Sequence, residues 1–156
     1  MKNSITSFAI LILLISCDQK KQTDIALPEI DNSVPSMEGT WELVNYYNYT
    51  EDEVTDTLPM AEGYRQVKVY ADGKIMWTRK VPLDSVEWYG YGTYRNTHEE
   101  LSETIEYGSA SMLKIIDTMR VFSFELQIGD DWFRQINIDR DGNRIISENY
   151  VRIEGP

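Results

Sequence analysis

Val121-Phe122-Ser123-Phe124-Glu125-Leu126-Gln127-Ile128, followed by Gly129-Asp130-Asp131 and then Trp132-Phe133-Arg134-Gln135-Ile136, decides the fold class. Phe122, Phe124, Leu126 and Ile128 fall on one side of an extended chain and Ser123, Glu125 and Gln127 on the other. That is the period of two of a half-buried strand. The Gly-Asp-Asp that follows supplies the left-handed backbone a hairpin needs, and a second β-rich run begins at once. Working outward, the same pattern recurs: candidate strands span 40–49, 64–70, 74–80, 86–96, 101–107, 119–128, 132–138 and 144–153. Further turns fall at Asp72-Gly73 and at 139–143, and the one helical candidate is a short turn near 109–116. Eight up-and-down antiparallel strands with short loops predict an all-β closed barrel, because closure removes the edges an open sheet would leave.

The whole chain has 156 residues, of which 42% are apolar, with 10 Tyr, 4 Trp and 4 Phe. This suits one core and is too aromatic for a disordered chain. A net charge of −11 argues against nucleic acid, which needs clustered Lys and Arg to neutralise phosphates. One Cys and one His exclude an internal disulfide and a Cys/His zinc site. His98, in Asn96-Thr97-His98-Glu99-Glu100, reads as a solvated turn residue rather than a ligand. The 139–143 turn fails as a calcium loop because its Gly comes too early and no Glu follows at the twelfth position. Neither a Ser/His/Asp triad nor a Gly-rich phosphate loop can be assembled, so the expectation is a non-enzyme without metal or cofactor.

Parity within the strands nominates interior residues. Trp77 shares a face with Ile75 and Arg79; Leu101 and Ile105 share theirs with Glu103; Trp132, Ile136 and Ile138 share theirs with Arg134; Glu148, Tyr150 and Arg152 lie together. If the apolar faces point inward, Arg79, Glu103, Arg134 and Glu148 enter the barrel with them. Buried charges persist only when paired or hydrated, so this set is either an internal ion-pair network or a means of fixing an acidic ligand. Trp77, Trp88, Tyr94 and Phe124 are candidates to line an apolar cavity, or else plain core.

Gly39-Thr40-Trp41 at the head of the first strand resembles the Gly-x-Trp element of lipocalins, and Arg152 near the end of the last strand stands where that family stacks an Arg over the Trp. In a closed barrel those strands are neighbours, and a cation–π lid over one end is the structural role expected of the pair. Tyr91-Gly92-Thr93-Tyr94, Glu103 to Ile105 and Glu148-Asn149-Tyr150-Val151-Arg152 are similar to elements of the lipocalin-like domains of Gram-negative envelope lipoproteins, with Tyr150 departing from the Trp common there. The resemblance covers 38–154 and implies a lipocalin-like barrel that binds a small apolar or amphipathic molecule.

The N-terminal stretch agrees. Lys2 precedes an apolar run from Phe8 to Ile15, too short to span a bilayer, and Leu14-Ile15-Ser16-Cys17 resembles a lipoprotein lipobox. Residues 1–16 are therefore read as a lipoprotein signal peptide, Cys17 as the acylated (palmitate-bearing) residue, and 17–37 as a flexible tether with Pro28 and Pro35. The expected location is a lipid-anchored position in the cell envelope of a Gram-negative bacterium, the outer membrane favoured. The alternative function is a protein-interaction module or enzyme inhibitor with a filled core, acting through an outer surface that includes Tyr46-Tyr47-Asn48-Tyr49 and the acidic loop after it.

Overall fold

In a computed structural model, which describes residues 34–83 and 86–155, the strands are β1 (Gly39–Thr50), β2 (Glu53–Pro59), β3 (Arg65–Ala71), β4 (Lys74–Lys80), β5 (Trp88–Asn96), β6 (Glu100–Gly108), β7 (Val121–Ile128), β8 (Trp132–Ile138) and β9 (Arg144–Glu154). One helix, α1 (Ala110–Ile116), joins β6 to β7. Ser109 caps it by accepting a hydrogen bond from the Met112 amide, and its Met112 and Ile116 are buried. Every strand pairs antiparallel with its neighbour, and β1 pairs back to β9, so the sheet closes into a barrel-like ring. The all-β, up-and-down class read from the sequence is what forms.

Eight of the strands make the ring, and β2 is a ninth that the sequence did not announce. β2 and β3 occupy the same edge of β1: Asn45 to Thr50 of β1 pair with β2, and Gly39 to Glu42 pair with β3. The segment read as an acidic loop is thus a strand antiparallel to β1, separated from β3 by an excursion over 60–64. Two features hid it. All seven of its residues are exposed, so no burial period marks it. Its turn, Glu51-Asp52, holds both residues in the left-handed region (φ 52° and 63°) without a Gly or Asn to signal it. By contrast Asp72-Gly73, also left-handed at both positions, makes the two-residue hairpin its sequence promises.

One end of the barrel is filled. Met37, Trp41, Tyr70, Ile75, Leu101, Leu126, Phe133 and Tyr150 form its core. Phe133 stacks on Tyr150 with ring centroids 4.6 Å apart, and Trp41 meets Phe133 edge-on at 4.9 Å. Arg152 lies 4.0 Å from the Trp41 ring, as expected of neighbouring first and last strands. The end of the segment read as tether belongs to this core: Met37 is fully buried, its carbonyl accepts from Trp41 Nε1 at 2.8 Å, and the Pro35 carbonyl accepts from Asn96 Nδ2. The folded core therefore includes residues before 38. Cys17 and the signal segment lie outside the described residues, among which no helix is long and apolar enough to cross a membrane.

Candidate binding cavity

The other half of the barrel is not filled. A cavity of about 280 Å³ opens there, its lining mixing apolar residues (Ile105, Phe122, Phe124, and Met112 and Ile115 of α1) and the indoles Trp77 and Trp88 with the polar Arg79, Gln66, Lys68, Glu103, Gln135 and Glu148. Trp77, Trp88 and Phe124 are thus cavity residues, as are Arg79, Glu103 and Glu148. The hairpin register puts them there. Ala71 opposite Lys74 sets Lys68 against Trp77 and Gln66 against Arg79, so all four share the inner face. Gly90 faces Trp77 from β5, and a Cβ there would lie 2.6 Å from the indole Nε1, so glycine makes room for the ring.

Two of the expected residues are elsewhere. Arg134 is on the outer face: its cross-strand partners are Gln127 and Asn149, and its guanidinium lies 5.1 Å from the Tyr47 ring and 5.0 Å from Trp132. The inner residues of β8 are Phe133 and Gln135, which pair with the inward Ile128 and Leu126. Apolar counting chose the wrong face because Ile136, which points outward, is nonetheless fully buried. Tyr94 points inward but belongs to the filled end, edge-on to Tyr70 at 4.8 Å with its hydroxyl donating to Glu38 at 3.2 Å. The Tyr46-Tyr47-Asn48-Tyr49 patch is likewise engaged by the barrel itself. The Tyr46 hydroxyl meets that of Tyr64 at 3.2 Å, Tyr47 covers Arg134, and Tyr49 donates to Ser147.

Sequence reasoning missed the residues that organise the cavity floor. Gln66 and Lys68 are 2% and 3% exposed, while Val67 and Val69 of the same strand face outward. The signal was present: the Asp72-Gly73 register, joined to an inward Trp77 and Arg79, places Lys68 and Gln66 inward whatever their polarity. Lys68 Nζ donates to Glu103 Oε1 at 2.7 Å and to Gln135 Oε1 at 2.5 Å, and the Tyr70 hydroxyl donates to the same Glu103 oxygen. Gln66 Nε2 and Gln135 Nε2 each donate to Glu148 Oε2 at 3.0 Å, and the Tyr150 hydroxyl donates there too. Gln66 Oε1 in turn accepts from Arg79 Nε and from Tyr64, both at 2.8 Å.

Burial, reinforced by Glu103, pushes the Tyr70 phenol well above its usual range, and burial with Glu148 does the same to Tyr150. Both phenols therefore stay protonated and remain donors to the carboxylates they face. Arg79 is different. Its guanidinium lies 5.9 Å from the Trp77 ring and 5.8 Å from Trp88, and its two terminal nitrogens have no acceptor among the described residues. His98 is exposed in its turn. Among the described residues no group of three or more His, Cys, Asp or Glu could hold a metal ion.

No protein-family model and no curated protein matches the chain. A solved structure, an uncharacterized protein from Bacteroides eggerthii DSM 20697, is similar with a TM-score of 0.49 and 13% identity, over 75% of this chain and 99% of that one.

Proposed function

We propose that this chain is a lipid-anchored envelope protein whose lipocalin-like barrel binds a small amphipathic molecule without catalysis. The observation that carries the binding reading is Arg79: a cation within 5.9 Å of two indole rings at the wall of the cavity, whose terminal nitrogens have no acceptor among the described residues. Such an Arg orients a carboxylate or similar acid, while Trp77, Trp88, Phe122 and Phe124 take up the apolar body. Size narrows the ligand. About 280 Å³ lies just below the roughly 300–1,000 Å³ common for ligand pockets, which suits a compact body rather than a long acyl chain. Anchoring through Cys17 rests on the Leu14 to Cys17 stretch, and Gram-negative envelope location, with the outer membrane favoured, rests on the same resemblance.

Native mass spectrometry of the full-length protein, extracted in detergent from its own envelope, tests the reading. A bound small acid that is present in the natural protein and lost in Arg79→Gln is the expected result. Bare protein mass in both, at native folding, overturns it.

A second reading, an interaction module acting through the outer surface, is favoured by β2, which is exposed along its whole length and pairs only with β1 among the described residues. Glu53, Asp56, Pro59 and the register shift between Asn48 and Tyr49 are, however, the devices that keep an edge from pairing.

A further inference from the structure

The floor of the cavity carries two carboxylates, each held through one of its oxygens. Three donors converge on Glu148 Oε2, and two converge on Glu103 Oε1. The remaining oxygen of each carboxylate, Glu148 Oε1 and Glu103 Oε2, has no donor among the described residues, yet no fully buried side-chain oxygen of the described residues is left unpartnered. Both free oxygens are therefore open to the cavity that these residues line. A ligand that fills the space without offering donors displaces water from them and leaves buried acceptors unmatched.

The spacing is equally informative. Arg79 and Glu148 form no ion pair, because the Gln66 amide stands between them, accepting from Arg79 at 2.8 Å and donating to Glu148 at 3.0 Å. The cation and the carboxylate are held apart by the width of one amide, and among the described residues neither has all its hydrogen-bonding capacity taken up. An ammonium and a carboxylate borne on one carbon span such a gap in the same sense as that amide. Lys68 does not neutralise Glu148 from below, since its ammonium forms its ion pair with Glu103 at 2.7 Å and also donates to Gln135.

We propose that the ligand is amphoteric, a compact molecule of the amino-acid type whose acid meets Arg79, whose ammonium meets Glu148, and whose apolar side chain lies among Trp77, Trp88 and Phe124. This rests on the binding reading above and adds to it the requirement for a cationic donor.

Calorimetric titration of the full-length protein in detergent with three probes of one body tests it: L-phenylalanine, 3-phenylpropionate, which lacks the amine, and phenethylamine, which lacks the acid. L-Phenylalanine should bind at least about tenfold more tightly than either, the scale of one charged hydrogen-bonding group. In Glu148→Gln, an isosteric change, the advantage over 3-phenylpropionate should disappear. Equal binding of 3-phenylpropionate and L-phenylalanine to the unaltered protein overturns the amphoteric ligand and leaves the acid-binding cavity standing. Binding of none of the three overturns this inference whatever the variant does, and the envelope mass measurement then decides the cavity reading separately.

Discussion

Arg152 shows how much one side chain can fix. Its guanidinium covers Trp41 at 4.0 Å, Nε donates to the Asp130 carbonyl at 3.0 Å, and Nη1 donates to the Glu38 carbonyl. These contacts tie β9 to the entry of β1 and to the β7–β8 turn. They require Gly39, whose φ is 130° and whose Cβ, if present, would lie 2.6 Å from Arg152 Nη1 and 2.7 Å from the Glu154 carbonyl. Gly39→Ala should therefore cost about 2 kcal/mol or more, from backbone strain and from the displaced guanidinium together. Arg152→Lys should cost about 1–2 kcal/mol, since an ammonium keeps the charge but loses the planar stack and the fork of donors. Urea unfolding followed by tryptophan fluorescence measures both. A neutral Gly39→Ala would mean that the close approach of Arg to glycine is not what secures this end.

At the scale of the element, the β1–β2 hairpin is built against local preference. Glu51 and Asp52 both occupy the left-handed region, which costs a residue with a Cβ roughly 1–2 kcal/mol and which Asn tolerates better. Asp52 recovers part of this by accepting the Arg144 amide at 2.9 Å, tying the hairpin tip to the start of β9. Among the described residues the Glu51 side chain has no such bond. Glu51→Asn should accordingly raise stability by about 0.5–1 kcal/mol, read as a higher urea midpoint with an unchanged slope; a lower midpoint would show that the glutamate contributes something the geometry does not reveal. The same hairpin explains why β2 escaped the sequence. Glu53 to Pro59 bury nothing and are opened by no Gly or Asn, so neither period nor turn chemistry marks them. The helix, by contrast, was legible, because Ser109 caps a short run whose Met112 and Ile116 sit on one side.

For the whole molecule, the polar floor couples stability to alkaline pH. Tyr70 and Tyr150 are held neutral by burial beside Glu103 and Glu148, and burial with Glu38 pushes Tyr94 up to about 12. A phenol whose folded value exceeds its unfolded value of about 10 contributes stability that is complete below about pH 10 and is lost as pH rises toward the folded value. The urea midpoint should fall above about pH 10, and part of the phenolate absorbance of the 10 Tyr should appear only as the chain unfolds. Full titration of every tyrosine with the native circular dichroism intact would refute it. The sequence by itself determined the strand class, the Asp72-Gly73 turn and the inward Trp77, Arg79, Glu103 and Glu148, because these depend on local turn chemistry and on a period of two, while the Trp41–Arg152 contact was expected from a resemblance in motif. Only the tertiary structure decided that Arg134 faces outward and that half the barrel stays open, whereas the inward Lys68 and Gln66 followed from the Asp72-Gly73 register once Trp77 and Arg79 across the ladder were placed inside. On β3 and β8 both faces mix polar and apolar residues, so the side that is buried is set by the partners across the ladder rather than by the strand itself.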